Sequence, residues 1–499
     1  MKKILLLSLV FLFGIVGCGG RKPPANQTIQ DVILNDPGNF FYINFKNYPR
    51  HDAGLPVGIF DSGTGGLTVL DAILRSDNFN NNNHQKGKDG KIDFLSESFI
   101  YLGDKANMPY GEYPGNHKTK FLQELVIKDA CFLLGNKYYP SQTAKKYRTD
   151  KPRVKAIVIA CNTATAYGKD EIEKFLKRAG LNMKVIGVIG AGVRGALQNI
   201  KKDENAAIGI MATAGTVASH GYPNTVNRQK NKLGYTGKII SFQQAGVGLA
   251  AAIDGEKDYL DPSLTTVRKN YRGPSFISKT APIDKTILKR YHFDFSDHHI
   301  LFTGTRDNPQ TIQLNSVKNY IKYHVISLLE KIRKSGTSIR LNSIILGCTH
   351  YPFYMNDFRQ VLNDAYNYKE NGKYIYRKFM NKHVFLVDPA LNTAKELYVY
   401  LNKNHLFNHG KLSDSQFYIS VPNLDNPNIK TADRLNFTYQ YKYGRQPGQI
   451  QQYVKRVPFS KRNLSETLLT RLQVKIPLTY RLIQNFMNQN TKPLSATAN

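Results

Sequence analysis

At 499 residues the chain is long enough for two to four domains, and its 41% apolar and 21% charged composition excludes a generally disordered protein. The formal charge of +32 favours anionic surroundings. The excess is nevertheless spread out: residues 401–499 carry 14 Lys/Arg against 4 Asp/Glu without a tight basic block or a nucleic-acid motif, so nucleic acid is not an expected partner.

The amino terminus opens with Met1-Lys2-Lys3, an apolar run from Ile4 to Gly17, and Cys18. This order is that of an export signal over residues 1–17, and Ile15-Val16-Gly17-Cys18 resembles a bacterial lipobox. Cys18 is then the lipidated first residue of the mature chain, and the expected location is the cell envelope, with the membrane as a partner through that lipid. The alternative is a cytoplasmic protein with an uncleaved apolar leader. Residues 18–54 are weakly periodic and read as a tether, which starts the folded part near Leu55.

From there, short apolar runs alternate with helix-length segments: Val57–Phe60, Phe99–Gly103, Val154–Ala160, Lys184–Ile189, Ala206–Met211, Ser343–Gly347 and Val384–Val387. The alternation predicts an α/β protein with parallel strands and crossover helices. The almost wholly apolar Ala156–Ala160 and Ile344–Leu346 fit strands covered on both faces. Asn78–Asp93 reads as a solvated loop, and residues 256–340 as an insert with a strand at Ile300–Thr303 and an amphipathic helix from about Pro309 to Lys334. Beyond His405 the chain turns basic and rich in Tyr and Asn, with a strand expected at Asn436–Tyr443. Residues 405–499 thus form a basic extension with no motif that assigns a role.

In open parallel sheets ligands bind at the carboxyl ends of strands, so the residues after each run carry the chemistry. The first run ends in Phe60-Asp61-Ser62-Gly63-Thr64-Gly65-Gly66, which matches neither the dinucleotide nor the P-loop glycine spacing. Two later runs end in Cys161-Asn162-Thr163-Ala164-Thr165 and Gly347-Cys348-Thr349-His350-Tyr351-Pro352. A lone cysteine after a buried strand is usually a small core residue, but two in like positions weaken that reading. Cys131, in the apolar helical stretch Asp129–Leu134, is expected to be core.

Taken with Val57-Gly58-Ile59-Phe60-Asp61-Ser62-Gly63, Pro109-Tyr110-Gly111, Ala212-Thr213 and Thr216-Val217, these motifs resemble those of bacterial glutamate racemase, in family order, over residues 56–401. The resemblance implies two pseudo-symmetric α/β lobes with the active site between them. It assigns 55–183 plus 384–404 to the first lobe and 184–383, with the insert, to the second. It also implies an isomerase that works without cofactor or metal, in which Cys161 and Cys348 exchange base and acid roles on opposite faces of the substrate Cα. Asp61 and His350 would relay protons beside them. Asp61, Ser62, Tyr110, Gly111, Asn162, Thr163, Thr213, Thr216, Thr349 and His350 match positions that hold the amino-acid substrate. Homodimers are common in that family.

Two features depart from the pattern. Gln243-Gln244-Ala245-Gly246-Val247-Gly248 followed by Ile253-Asp254-Gly255 stands where the family has Cys-Pro, an apolar run and Glu, which bears on the substrate side chain. An export signal also conflicts with the cytoplasmic supply of D-glutamate to peptidoglycan. A racemase of another amino acid such as aspartate, and a catalytically silent envelope protein that binds an amino acid or a cell-wall fragment, are the alternatives.

Overall fold

The computed structural model describes residues 27–253 and 255–491. Cys18 and the expected signal segment lie outside them. In chain order the strands are β1 (Val57–Asp61), β2 (Phe99–Gly103), β3 (Ala156–Ile159), β4 (Lys184–Gly187), β5 (Ala206–Ala212), β6 (Ile239–Ala245) and β7 (Ile300–Gly304). They continue as β8 (Pro309–Leu314), β9 (Leu341–Gly347), β10 (Lys369–Glu370), β11 (Lys373–Tyr374), β12 (Met380–Val387), β13 (Gln416–Pro422) and β14 (Val454–Pro458).

The fold is α/β, with two parallel sheets flanked by helices. The first sheet has the order β14-β13-β2-β1-β3-β4, parallel except for the antiparallel edge pair β13–β14; the second has the order β12-β9-β5-β6 and is wholly parallel. The apolar strands β1, β2, β3, β5 and β9 are buried at every residue, because helices cover both sheet faces. The helices Thr119–Leu134 and Asn162–Arg178 pack side by side at Gly168, where a Cβ would lie 2.4 Å from Val126 Cγ1. Any larger residue there would push the two helices apart.

Several boundaries differ from the sequence-based expectation. From residue 27 the expected tether is part of the first lobe: helix Ile29–Asn35 is closed by a capping box between Thr28 and Asp31, and Phe41, Ile43 and Phe45 enter the first core. β4 belongs to the first sheet and β12 to the second, whereas helix Pro389–Lys403 buries Leu397, Tyr398 and Leu401 in the first core. The chain therefore crosses between lobes after β4 and again after β12, near but not at the expected positions.

The expected helix from Pro309 begins instead at Val317, because Pro309–Leu314 pairs with β7 as a hairpin. The expected strand Asn436–Tyr443 is reduced to a single antiparallel bridge of Phe437 with Thr431, followed by the helix Tyr439–Gly444. The carboxyl-terminal extension supplies β13 and β14 to the first sheet, and the helices Glu466–Lys475 and Pro477–Thr491, with Ile476 between them, contribute Leu472, Ile476, Ile483 and Phe486 to its core. Among the described residues no helix is long and apolar enough to cross a membrane.

Candidate active site

The carboxyl ends of β1 and β3 lie side by side, with Phe60 opposite Ile159, so Asp61 and Cys161 emerge as neighbours. Asp61 Oδ2 accepts from the backbone amides of Gly63 (3.1 Å) and Gly66 (3.0 Å), which folds the glycine turn around the carboxyl group. Burial pushes this carboxyl above the ordinary range, against the opposing pull of hydrogen bonds from Gly66, Gly63, Ser62 and Cys161.

Cys161 is the N-cap of helix Asn162–Arg178: its Sγ accepts from Ala164 N at 3.4 Å, and the thiol points to Ser62 Oγ at 3.7 Å. Burial, then the charge of Asp61, push the thiol up to about 12. Its protonated form is therefore favoured at neutral pH, and a cation brought close would stabilise its thiolate.

The second lobe repeats the arrangement. β9 ends at Gly347 beside Ala212 of β5, so Cys348 and Thr213 occupy adjacent strand ends. Cys348 is buried, its Sγ lies 3.6 Å from His350 Nδ1, and Thr349 Oγ1 lies 3.5 Å from the same nitrogen. Thr213 caps helix Ala214–Ala218, its Oγ1 accepting from Thr216 N at 3.4 Å and donating to Thr216 Oγ1 at 3.0 Å. Each thiol thus has a titratable side chain beside it on its own lobe, Asp61 near Cys161 and His350 near Cys348.

The two lobes face one another across these strand ends. A Cβ on Gly65 would lie 3.4 Å from Thr349 Oγ1, 3.8 Å from Asp61 Oδ2 and 4.0 Å from His350 Cε1. Nearby, a Cβ on Gly215 would lie 2.8 Å from Gly111 Cα, and one on Gly111 would reach Thr163 Oγ1 at 4.0 Å. Asp61, Ser62, Gly111, Asn162, Thr163, Thr213, Thr216, Thr349 and His350 are therefore gathered around the two cysteines. Helix N-termini at Cys161 and Thr213 add partial positive charge, which suits a carboxylate and a carbanion.

Tyr110 differs. Its side chain is only 1% exposed and turns into the first lobe, with Oη 2.5 Å from Asp104 Oδ2 and 2.6 Å from Asp129 Oδ2. One hydroxyl has a single hydrogen, so one carboxyl must donate in return. Burial and the charge of Asp104 push Asp129 well above the ordinary range, which eases its protonation, while its other oxygen accepts from Arg456 at 3.0 Å. The expected substrate contact of Tyr110 is thus limited to its backbone, because its hydroxyl is committed to these carboxyl groups.

One residue that no motif spacing pointed to joins the site. Tyr222, in helix Gly221–Lys232, donates to Asn162 Oδ1 at 3.0 Å across the lobes, while its ring lies against Gly347. The departing segment 243–248 faces the insert: Gln244 Nε2 meets His324 Nδ1 at 3.2 Å, and His324 Nε2 meets Val247 O at 3.1 Å. Burial pushes His324 down to about 3, so it is neutral and can donate to the Val247 carbonyl through one nitrogen and accept from Gln244 through the other. As expected for a core thiol, Cys131 is buried, and it donates to Phe41 O at 3.2 Å. Among the described residues no group of three or more His, Cys, Asp or Glu side chains could hold a metal ion.

A cavity of about 330 Å³ opens behind Cys348, lined also by Asn162, Thr349, Arg75 and Asp388; Cys161 does not line it. Burial pushes Asp388 from 3.8 to about 6, although its carboxyl accepts from Ala390 N at 2.8 Å as a helix cap. Its folded form keeps the proton to higher pH than the unfolded chain does, so this group favours folding below pH 4 and loses that contribution as pH rises through about 6. Asparagine would keep the cap. Asp388→Asn is therefore expected to stabilise the protein by about 1–2 kcal/mol at pH 8 and by nothing at pH 4, as read by urea denaturation. Equal stability of the two proteins at pH 8 would show that Asp388 bears no such penalty.

No family model matches the chain. The glutamate racemase of Lactobacillus acidophilus is 23% identical to it over 384 residues, which cover 77% of this chain and 92% of that protein. The glutamate racemase of Enterococcus faecalis is 36% identical over 166 residues; this match covers 33% of this chain and 44% of the relative, less than half its length. Among solved structures, a glutamate racemase of Bacillus anthracis matches at 20% identity over 73% of this chain and 86% of that one, with a TM-score of 0.41.

Proposed function

We propose that this chain is a cofactor-independent amino-acid racemase that interconverts L- and D-glutamate by proton transfer between Cys161 and Cys348. The observation that carries the reading is the pairing of two buried thiols on opposed lobes, each with its own proton partner. Racemisation needs one group to take the Cα proton and another to return one from the opposite face.

The substrate ammonium supplies a cation that favours the Cys161 thiolate against burial and the charge of Asp61. Its arrival lowers the cost of ionising the thiol, and Asp61, made more basic than an ordinary carboxylate by burial, takes the proton. In this direction Cys348 stays a thiol and returns a proton to the opposite face, regaining one through His350; for the other enantiomer the roles exchange, and His350 takes the proton of Cys348. The carboxylate of the substrate is held by Ser62, Asn162, Thr163, Thr213 and Thr349 and by helix N-termini, whose donors also stabilise the carbanion.

Catalysis is followed by incubating purified protein with L-glutamate in heavy water under reducing conditions and reading Cα deuterium and optical rotation together. Deuterated D-glutamate is expected. Absence of exchange with glutamate, aspartate and other amino acids would sink the racemase reading.

The product is D-glutamate for peptidoglycan or for amino-acid turnover in the envelope. In the envelope reading Cys18 carries the lipid anchor, and mass spectrometry of the native amino terminus tests it: intact Met1 would leave the cytoplasmic alternative. A second reading, a silent amino-acid-binding protein of the envelope, is favoured by the inward-turned Gln244 and meets its test in the same exchange assay.

A further inference from the structure

The segment Asn107–Tyr113 links β2 to the helix Thr119–Leu134 and forms one wall of the site. Met108 Sδ lies 2.6 Å from where a Cβ on Gly63 would sit, at the Asp61 turn, and Gly111 touches Gly215 of the second lobe. This wall lies outside the strand ladders, so its position must be set from elsewhere.

The carboxyl-terminal extension grips it at several points. Lys442 Nζ donates to Met108 O at 2.6 Å, and Tyr439 Oη donates to Asn116 Oδ1 at 3.3 Å. Arg445 Nη2 donates to Asn107 Oδ1 at 2.7 Å and to Tyr113 Oη at 3.3 Å. Asn107 Nδ2 in turn donates to Asp104, the carboxylate that receives the Tyr110 hydroxyl.

The Arg445 side chain is 4% exposed and its guanidinium lies 4.8–5.3 Å from the ring centres of Phe121, Phe437, Tyr441 and Tyr453. A desolvated cation among aromatic faces is held more firmly than a surface one, and its planar fork fixes direction as well as charge.

We propose that Lys442 and Arg445 are positioning residues that hold the wall Asn107–Tyr113 against the opposite lobe and thereby set the fit of the amino-acid substrate. The inference rests on the racemase reading for its kinetic consequence. It gives the extension a role that packing alone does not require, since β13, β14 and the two final helices already complete the first lobe.

The test compares wild type, Lys442→Met and Arg445→Lys in the glutamate assay, together with amide hydrogen exchange over Asn107–Tyr113. Lys442 lies at the surface end of the grip, so Lys442→Met should remain folded. It is expected to raise KM about three- to tenfold with kcat within about twofold, and to speed exchange in the wall. Arg445→Lys should raise KM further, because lysine cannot reach both Asn107 and Tyr113. Unchanged KM in folded Lys442→Met, or an effect confined to kcat, would overturn the inference. If Arg445→Lys fails to fold, Lys442→Met decides alone. Wild type without turnover would instead overturn the racemase reading; the exchange measurement would then decide the grip, and unchanged exchange would refute it.

Discussion

Replacing either Cys161 or Cys348 by serine is expected to lower interconversion of L- and D-glutamate by at least about a thousandfold, toward the upper end of what a positioned acid or base contributes. Serine preserves nearly the same shape. At position 161 its hydroxyl can still accept from Ala164 N as a helix cap, so the loss cannot be assigned to a broken fold. What disappears is a group able to ionise beside the substrate: an alkoxide is far costlier than a thiolate, and the site already holds the Cys161 thiol up to about 12.

The two variants should also differ in kind. With one thiol left, the enantiomer whose proton faces it can still exchange with solvent without inverting. Deuterium uptake by opposite enantiomers in the two variants, with little or no change of handedness, is the expected result. Inversion at the wild-type rate in either variant would refute the two-thiol assignment. Cys131→Ser serves as the control, because that thiol lies in the core on the Phe41 carbonyl and is expected to leave turnover intact.

Asp61→Asn is expected to lower turnover by about a hundred- to a thousandfold while leaving the melting temperature nearly unchanged. Both turn amides, from Gly63 and Gly66, donate to the same oxygen, Oδ2, so the amide oxygen of asparagine can take over both bonds. The other atom changes from a carboxylate oxygen, the proposed acceptor of the Cys161 proton, to an NH2 donor, and asparagine cannot accept a proton at neutral pH. Activity close to wild type would show that Cys161 loses its proton elsewhere. A large fall in stability would instead mark Asp61 as a scaffold of the glycine turn.

Much of this site was legible in the chain because strand ends are. A buried parallel strand must be apolar along its length, so Ala156–Ile159 and Ile344–Leu346 announced themselves, and the polar residues next in sequence had to stand at their carboxyl ends. Charge and aromatic spacing misled where burial reversed their usual meaning. Lys455 and Arg456 belong to the basic extension, yet they are buried in β14 with Asp425 and Asp129 as partners. The alternation of Phe437, Tyr439, Tyr441 and Tyr443 imitated a strand, yet Phe437 and Tyr441 face Arg445 while Tyr439 and Tyr443 pack on each other, which a short bridge and a helix accomplish as well. Phe41, Ile43 and Phe45 looked like part of a tether because three apolar residues without helix periodicity show no face until a core is there to receive them.

Local sequence determined the α/β class, the strand ends and the placement of Asp61, Cys161, Cys348 and His350 at or just after them, since each depends only on contiguous apolar runs and the residues that follow; that Asp61 stands beside Cys161 was decided by the pairing of β1 with β3. Tertiary structure alone decided that Tyr110 turns away from the cleft, that Tyr222 reaches Asn162 from the other lobe, and that the carboxyl-terminal extension grips the site wall through Lys442 and Arg445. These contacts join residues from about sixty to over three hundred positions apart, or depend on which buried carboxyl a side chain meets. No local periodicity encodes such pairings; they are set when the two lobes and the extension close around a common core.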